Sequence, residues 1–209
     1  MKNIFAIILS SLLFLNLSAQ QINQVYKAKK INFLGLDYSA AVFIGYNGFK
    51  DPSALQILPD SWNSLFITEP EKYNIQKAFK VRFDFNLEIV KERNKTVNYT
   101  ERITEKAIIL PHLTKEDLQA IIDDYPVFEK TGVALVFIVD AYDKSSATGY
   151  YHFVFFQKET KEILLTYTVT GEAGGGGLRN YWAHSFYEAI LKAGKRYSAT
   201  AEFYRDYTE

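Results

Sequence analysis

The chain has no cysteine among its 209 residues. That excludes disulfides, thiolate metal sites, a cysteine nucleophile and lipid attachment through cysteine. An excess of charge is missing too, since 24 Lys and Arg balance 24 Asp and Glu. Nucleic-acid binding calls for a basic excess or a basic stripe, so the electrostatic case for that partner is absent. There is no internal repeat and no interdomain linker. Beyond the first 19 residues, no uncharged run is long enough to cross a membrane. What the chain has in quantity is aromatic side chains: 16 Phe, 15 Tyr and 2 Trp. Apolar residues make up 48% of it, which rules out disorder as a description of the whole. The length fits one domain, or at most two small ones.

The first residues read as an address. Lys2 gives a positive start, Ile4 to Leu17 is almost entirely apolar, and Leu17-Ser18-Ala19 follows as the segment a signal peptidase reads. The apolar run, 4–17, is shorter than the ~20 residues a spanning helix needs. Cleavage near Ala19 and a periplasmic or secreted destination are the expectation.

The remainder divides by pattern. Residues 20–30 are polar and basic and read as a tether, 31–194 as one globular domain, and 195–209 as a loosely attached tail. Residues 31–44, apolar and β-branched with Gly35 inside, read as a strand buried on both faces. Asp51-Pro52 opens a helix, with Asp as N-cap and Pro in the first turn. Pro59 lacks the amide hydrogen a helix interior uses, so it is expected to kink or divide that segment. Thr68-Glu69-Pro70-Glu71 reads as a capping box that opens a further helix to about Phe79.

Val81, Phe83, Phe85, Leu87 and Ile89 alternate with polar residues, as a half-buried strand does. Residues 94–100 read as a turn and strand edge leading to a second extended run up to Leu110. Thr114 caps a helix, with Asp117 completing the box and Leu118, Ile121, Ile122 and Tyr125 at helical spacing. Residues 132–142 form a continuous apolar run of the kind a central strand carries. Residues 149–157 and 162–170 read as two further strands joined by the hairpin Lys158-Glu159-Thr160-Lys161. After a glycine run, Asn180 is placed to cap a last helix with Trp182, Phe186, Ala189, Ile190 and Ala193 on one face and Gly194 as its stop. The fold class expected is α/β, with α+β as the alternative. It would be a single mixed sheet of about five or six strands packed by about three or four helices.

The segment Gly171-Glu172-Ala173-Gly174-Gly175-Gly176-Gly177-Leu178-Arg179-Asn180 carries the most information. Four glycines lead from a strand to a helix start, where free amides and the helix dipole favour an anion and Arg179 adds a donor. The spacing matches neither the Walker pattern nor the GxGxxG fingerprint. The plainer readings are a crossover loop and a partner-binding loop, whose glycines let the chain turn or lie flat on another surface. Gly174, Gly175, Gly176, Gly177, Arg179, Asn180 and Tyr181 are therefore the candidate binding residues.

Asp37 and Asp140 each fall where a strand ends. Ligands collect there in open α/β sheets, although an Asp in that position also starts turns. His112, His152 and His184 fit neither HxH nor HExxH. His184 and Glu188 share a helix face, a spacing that suits a metal pair, an acid–base pair or an ordinary surface hydrogen bond. His152, inside an apolar strand, reads as a packed histidine. No G-x-S-x-G elbow surrounds Ser39 or any other serine. No catalytic residue, metal site or cofactor is assigned. Most aromatics read as core; Tyr181, Tyr197, Phe203, Tyr204 and Tyr207 are hardest to bury and become the interface candidates.

Two resemblances accompany this reading. Trp62-Asn63-Ser64-Leu65-Phe66, Glu69-Pro70-Glu71-Lys72-Tyr73 and Gly177-Leu178-Arg179-Asn180-Tyr181-Trp182 resemble a group of exported Bacteroidetes proteins of unknown function. The order of central strand, hairpin with Thr160-Lys161-Glu162 in its turn, glycine-bearing loop and closing helix is similar to envelope α/β domains. These are the domains of the curli-secretion lipoprotein, the penicillin-binding-protein activator lipoproteins and the amino-terminal part of TolB. That likeness implies protein–protein assembly rather than catalysis. The lipoproteins are anchored through a cysteine that this chain lacks.

The expected function is that of an exported, non-catalytic cell-envelope protein acting through interaction with, or assembly on, an unidentified envelope protein. A small-ligand module is the first alternative, requiring an apolar cavity of roughly 300 Å³ or more lined by Phe and Tyr. The second is a small hydrolase or transferase using Asp37, Asp140 or His184–Glu188, with Arg179 holding an anionic substrate. That requires both aspartates to lie within ~10 Å of the glycine loop.

Overall fold

The computed structural model describes residues 22–49 and 51–206; the expected leader, 1–19, and Tyr207 of the tail lie outside the described residues. The long apolar run becomes β5 (Val133–Asp143), buried at every residue but the last. A strand with no wet face belongs in the middle of a covered sheet. On one side β5 pairs with β6 (Thr148–Gln157), antiparallel. On the other, β1 (Lys30–Asp37) and β2 (Val42–Ile44) share its edge one after the other, both parallel to it. Beyond β1 lies β3 (Arg82–Phe85), beyond β2 lies β4 (Ile103–Thr104), and beyond β6 lies β7 (Ile163–Glu172). The result is an open mixed sheet of seven strands in an α/β fold.

Helices cover both faces. A short helix α1 (22–27) packs on one face with α2 (Pro52–Thr68), α3 (Ile75–Phe79) and α6 (Leu178–Asp206). The other face carries α4 (Glu88–Lys95) and α5 (Lys115–Asp123). The first core is aromatic, as the strand alternation implied: Phe137 and Phe153 sit 4.0 Å apart, and Trp182 stacks on Tyr142 at 4.2 Å. The Thr114–Asp117 capping box forms as read, and the hairpin closes where expected, with the Gln157 amide donating to the Glu162 carbonyl at 2.9 Å.

Elsewhere packing overrides the local signals. Residues 22–27 are no tether, because Val25 and Tyr26 are buried and Tyr26 stacks on Tyr204 at 4.9 Å. The described tail is equally fixed: α6 runs unbroken through Gly194, and Tyr197 and Ala201 are buried. Gly194 serves close approach instead of a stop, since a Cβ there would stand 2.6 Å from the Ala78 carbonyl oxygen of α3. Asn180 lies inside the first turn of α6, so it does not cap it. Pro59 does not divide α2; buried Leu55, Trp62 and Leu65 on either side of it hold one continuous helix against the loss of a single hydrogen bond.

At Thr68 α2 ends, with the Glu69 amide donating to Leu65, so the expected capping box opens nothing. Asn74 caps the short α3 instead. The expected strand over 81–89 survives only as β3, because β1 offers a partner register only from Lys30 to Phe33. Past Phe85 the chain turns into α4, burying Val90 and Asn94. The expected strand over 31–44 is two strands, and the run towards Leu110 keeps only β4.

The break between β1 and β2 is bridged by side chains. Between β3 and β4 the outer edge of β1 has no strand beside it. Asn63 of α2 accepts from the Leu36 amide at 2.8 Å and donates to the Leu36 carbonyl at 2.9 Å. Asn94 of α4 accepts from the Tyr38 amide at 2.8 Å and donates to the same Leu36 carbonyl at 2.9 Å. Buried backbone groups must be paired, and two asparagines do here what a neighbouring strand would do. Gly35, at φ +104°, makes the space: a Cβ there would meet Asn63 Oδ1 at 2.3 Å.

Candidate functional site

The glycine run bridges Glu172 of β7 and Leu178 of α6, at the end of the sheet where β2 and β5 also finish. Gly175 and Gly177 adopt φ of +97° and +76°, a region that strains residues with side chains. The Gly174 amide donates to the Tyr181 carbonyl at 3.1 Å, folding the loop back onto the first turn of α6. Gly175, Gly176, Gly177 and Asn180 are exposed, and a Cβ at Gly176 or Gly177 would meet nothing within 4 Å. The loop therefore presents bare backbone to solvent.

Arg179 is turned mainly towards α2, with one Nη donating to Asn180 Oδ1 at 3.2 Å. Its carbonyl accepts from Trp62 Nε1 at 2.9 Å, its Nε donates to Ser61 Oγ at 2.7 Å, and its Nη2 lies 3.8 Å from Glu69 Oε1. These contacts fasten the start of α6 to α2. Tyr181 remains half-buried beside the loop, with Lys144 Nζ 3.3 Å from its ring centre. The stem of Lys144 packs on Gly48, where an added Cβ would stand 2.4 Å from its Cγ, and Tyr46 next to it is 55% exposed. The glycine loop, Asn180, Tyr181, Lys144 and Tyr46 thus form one continuous face. Trp182 turns inward, between Tyr142 and Phe49.

Asp37 and Asp140 lie on the opposite side of the sheet from α6, among the residues that α4 and α5 cover. Asp37 is in register with Ile138, two residues before Asp140, so the two carboxylates are diagonal neighbours. A rise of ~3.3 Å per residue and a strand spacing of ~4.8 Å put their Cα atoms roughly 8 Å apart. Both are fully buried and fully engaged. Asp37 accepts from Tyr125 Oη and the Ser39 amide at 2.7 Å each, and Arg93 Nε lies 3.2 Å away.

Asp140 accepts from His112 Nδ1 at 2.8 Å, the Leu113 amide at 2.9 Å, His152 Nε2 at 3.0 Å and the His112 amide at 3.1 Å. Burial alone would raise its pKa, but the bonds from the two histidines and the two amides outweigh it and hold Asp140 well below the usual carboxylate range. An ionised Asp140 assigns the protons: both facing histidine nitrogens donate. On its other side His152 Nδ1 shares a hydrogen bond with Thr168 Oγ1, 3.0 Å away on the neighbouring strand. The chain Asp140–His152–Thr168 pins β5, β6 and β7 in register.

These carboxylates lie on the face that α4 and α5 cover, whereas the glycine loop leads into α6 on the other face. His152 is buried as read, and His184 packs against Gly174 rather than pairing with Glu188. Among the described residues no group of three His, Asp or Glu side chains is placed to hold a metal. Of the tail aromatics Tyr197 is buried, Tyr204 stacks on Tyr26 and Phe203 is exposed. Two grooves among the described residues differ from the aromatic cavity of the ligand alternative. One of about 460 Å³ has Phe128 as its one aromatic, and one of about 250 Å³, with Phe66, Tyr73 and Phe85, falls below the size expected.

Sequence reasoning gave His112 no role and missed Lys144 and the two bridging asparagines. Only an Asn inside an otherwise apolar helix stripe, as at Trp62-Asn63-Ser64-Leu65, carried a local hint. No protein-family model, curated protein or solved structure matches the chain.

Proposed function

We propose that the protein is exported to the cell envelope and works without catalysis, by binding another protein through the face built around Gly174–Gly177, Asn180 and Tyr181. The observation that carries this reading is the loop itself. Four glycines are held open by two left-handed residues and a hydrogen bond back to α6, with bare backbone exposed beside Tyr46, Lys144 and Tyr181. Such a surface is flat and rimmed by tyrosine, a residue enriched where proteins meet. The basic start, apolar run and Ala19 of the first segment support export. The buried carboxylates support the non-catalytic part, because their acceptor positions are taken by the fold's own donors.

The clean test is Gly176→Arg. Its position is open and its backbone is not left-handed, so the fold tolerates the side chain while the flat surface is lost. Crosslinking and co-purification from the source cell should enrich one envelope protein with wild type and lose it with Gly176→Arg at an unchanged melting temperature. Equal enrichment by the variant, or none by wild type, rejects the reading. Arg179→Ala is a poorer probe, since it also unfastens α6 from α2.

A further inference from the structure

The far edge of the sheet carries a second surface, independent of the glycine loop. Among the described residues β7 pairs on one side only, with β6. Two contacts show which of its residues point outward. The Ile163 amide donates to Gln119 Oε1 at 3.2 Å, and Lys192 Nζ donates to the Thr170 carbonyl at 2.9 Å. In an antiparallel strand the N–H and C=O of one residue point the same way, and successive residues alternate. Counting back in twos from Thr170 places the groups of Thr168 and Thr166 on the same outer side. The register shift at Phe155/Phe156 absorbs the odd step to Ile163. Gln119 and Lys192 therefore close the two ends of the edge, and among the described residues no strand pairs with the stretch between them.

Beside that stretch runs a groove of about 440 Å³, lined by Ile22, Leu113, Leu118, Ile163, Leu165 and Lys115 among others. Ile22 belongs to the face that α6 covers, and Leu113 and Leu118 belong to the face of α5. Apolar walls thus stand on both sides of the edge, where the alternating side chains of an added strand would point. Lys115 is exposed and pairs with no carboxylate among the described residues, and no carboxylate lines the groove. Lys192 and Arg196 reach the strand from α6, the latter 4.6 Å from the Tyr167 ring centre.

We propose that this edge receives an extended segment of another protein as an added strand, apolar at alternate positions and carrying a carboxylate that meets Lys115. Backbone hydrogen bonds to Thr166 and Thr168 supply the pairing, and the groove selects the side chains.

The experiment is selection of a displayed library of random twelve-residue peptides on the purified protein. The selected peptides should alternate apolar residues, lack proline in the middle and contain Asp or Glu. Their affinity should fall at least ten-fold in Thr166→Pro, which removes an outward amide that β6 does not use. It should be unchanged in Gly176→Arg, which separates this surface from the glycine face. Lys115→Glu, a solvent-exposed change that leaves the strand alone, should turn the preference towards Lys and Arg. Hydrogen exchange at the Thr166 and Thr168 amides should slow when a selected peptide is bound. Failure to select any peptide, affinity indifferent to both Thr166 and Lys115, or unchanged exchange at those amides would overturn the proposal.

Discussion

Asp140 shows what one residue is asked to do at the centre of this fold. A carboxylate out of reach of water persists only if its oxygens are met by donors, and here two histidines and two backbone amides meet them. Asp140→Asn would turn an amide donor towards those donors, at a cost of about 3 kcal/mol, the scale of breaking a buried charged network. The same network sets a pH dependence. Unfolded aspartate titrates near ~3.9 and the folded group lies well below that, so the stabilisation is complete above about pH 4 and is lost as pH falls further. Urea midpoints should therefore drop for wild type between about pH 4 and pH 2, and drop less steeply in Asp140→Asn. Parallel curves would mean that the carboxylate contributes nothing specific. None of this was legible beforehand: His112 lies 28 residues away from Asp140 and His152 12, and it takes the β5–β6 register for the one and the path of the chain into α5 for the other to bring them together.

At the scale of elements, Gly194 decides how α6 sits on α3. Replacing a helix-interior glycine by alanine ordinarily stabilises by ~1 kcal/mol. Here the new methyl would meet the Ala78 carbonyl at 2.6 Å, and overpacking costs about 1–3 kcal/mol. Gly194→Ala should thus lower stability by about 1 kcal/mol net, read from urea unfolding; a gain would show that α3 yields freely. This contact is also why the end of α6 was misread, because a glycine after an apolar stripe looks like a stop until the neighbour it accommodates is known. Elements whose signals agree, such as β5, the β6–β7 hairpin and α5 with its capping box, were readable from the chain alone. Leu87 and Ile89 were misleading, since their alternation continues that of Phe83 and Phe85 while the strand's partner has already run out. The glycine loop was found at its true place, but the sequence held no sign that Arg179 would be spent on Ser61 and Glu69.

Across the whole molecule, the two ends of the described chain meet over β6 and β7. Tyr197 donates from its hydroxyl to the Val25 carbonyl at 3.1 Å, and its ring lies 5.4 Å from Phe79 and 5.5 Å from Phe155. A chain ending at Gly194 should lose about 4 kcal/mol or more, the cost of emptying a large aromatic site. Thermal unfolding followed by circular dichroism checks this, and an unchanged transition would mean that the last turns of α6 merely rest on the surface. The asparagine bridge at Leu36 and Tyr38 has a consequence for how copies of such a molecule can associate. On that side of the sheet the border consists of four-residue β3, two-residue β4 and a gap already filled by side chains, so nothing there can template a further strand. Only β7 can. A unit with one joinable side ends whatever it joins, so growth through its strands closes at a pair instead of running on into a fibre.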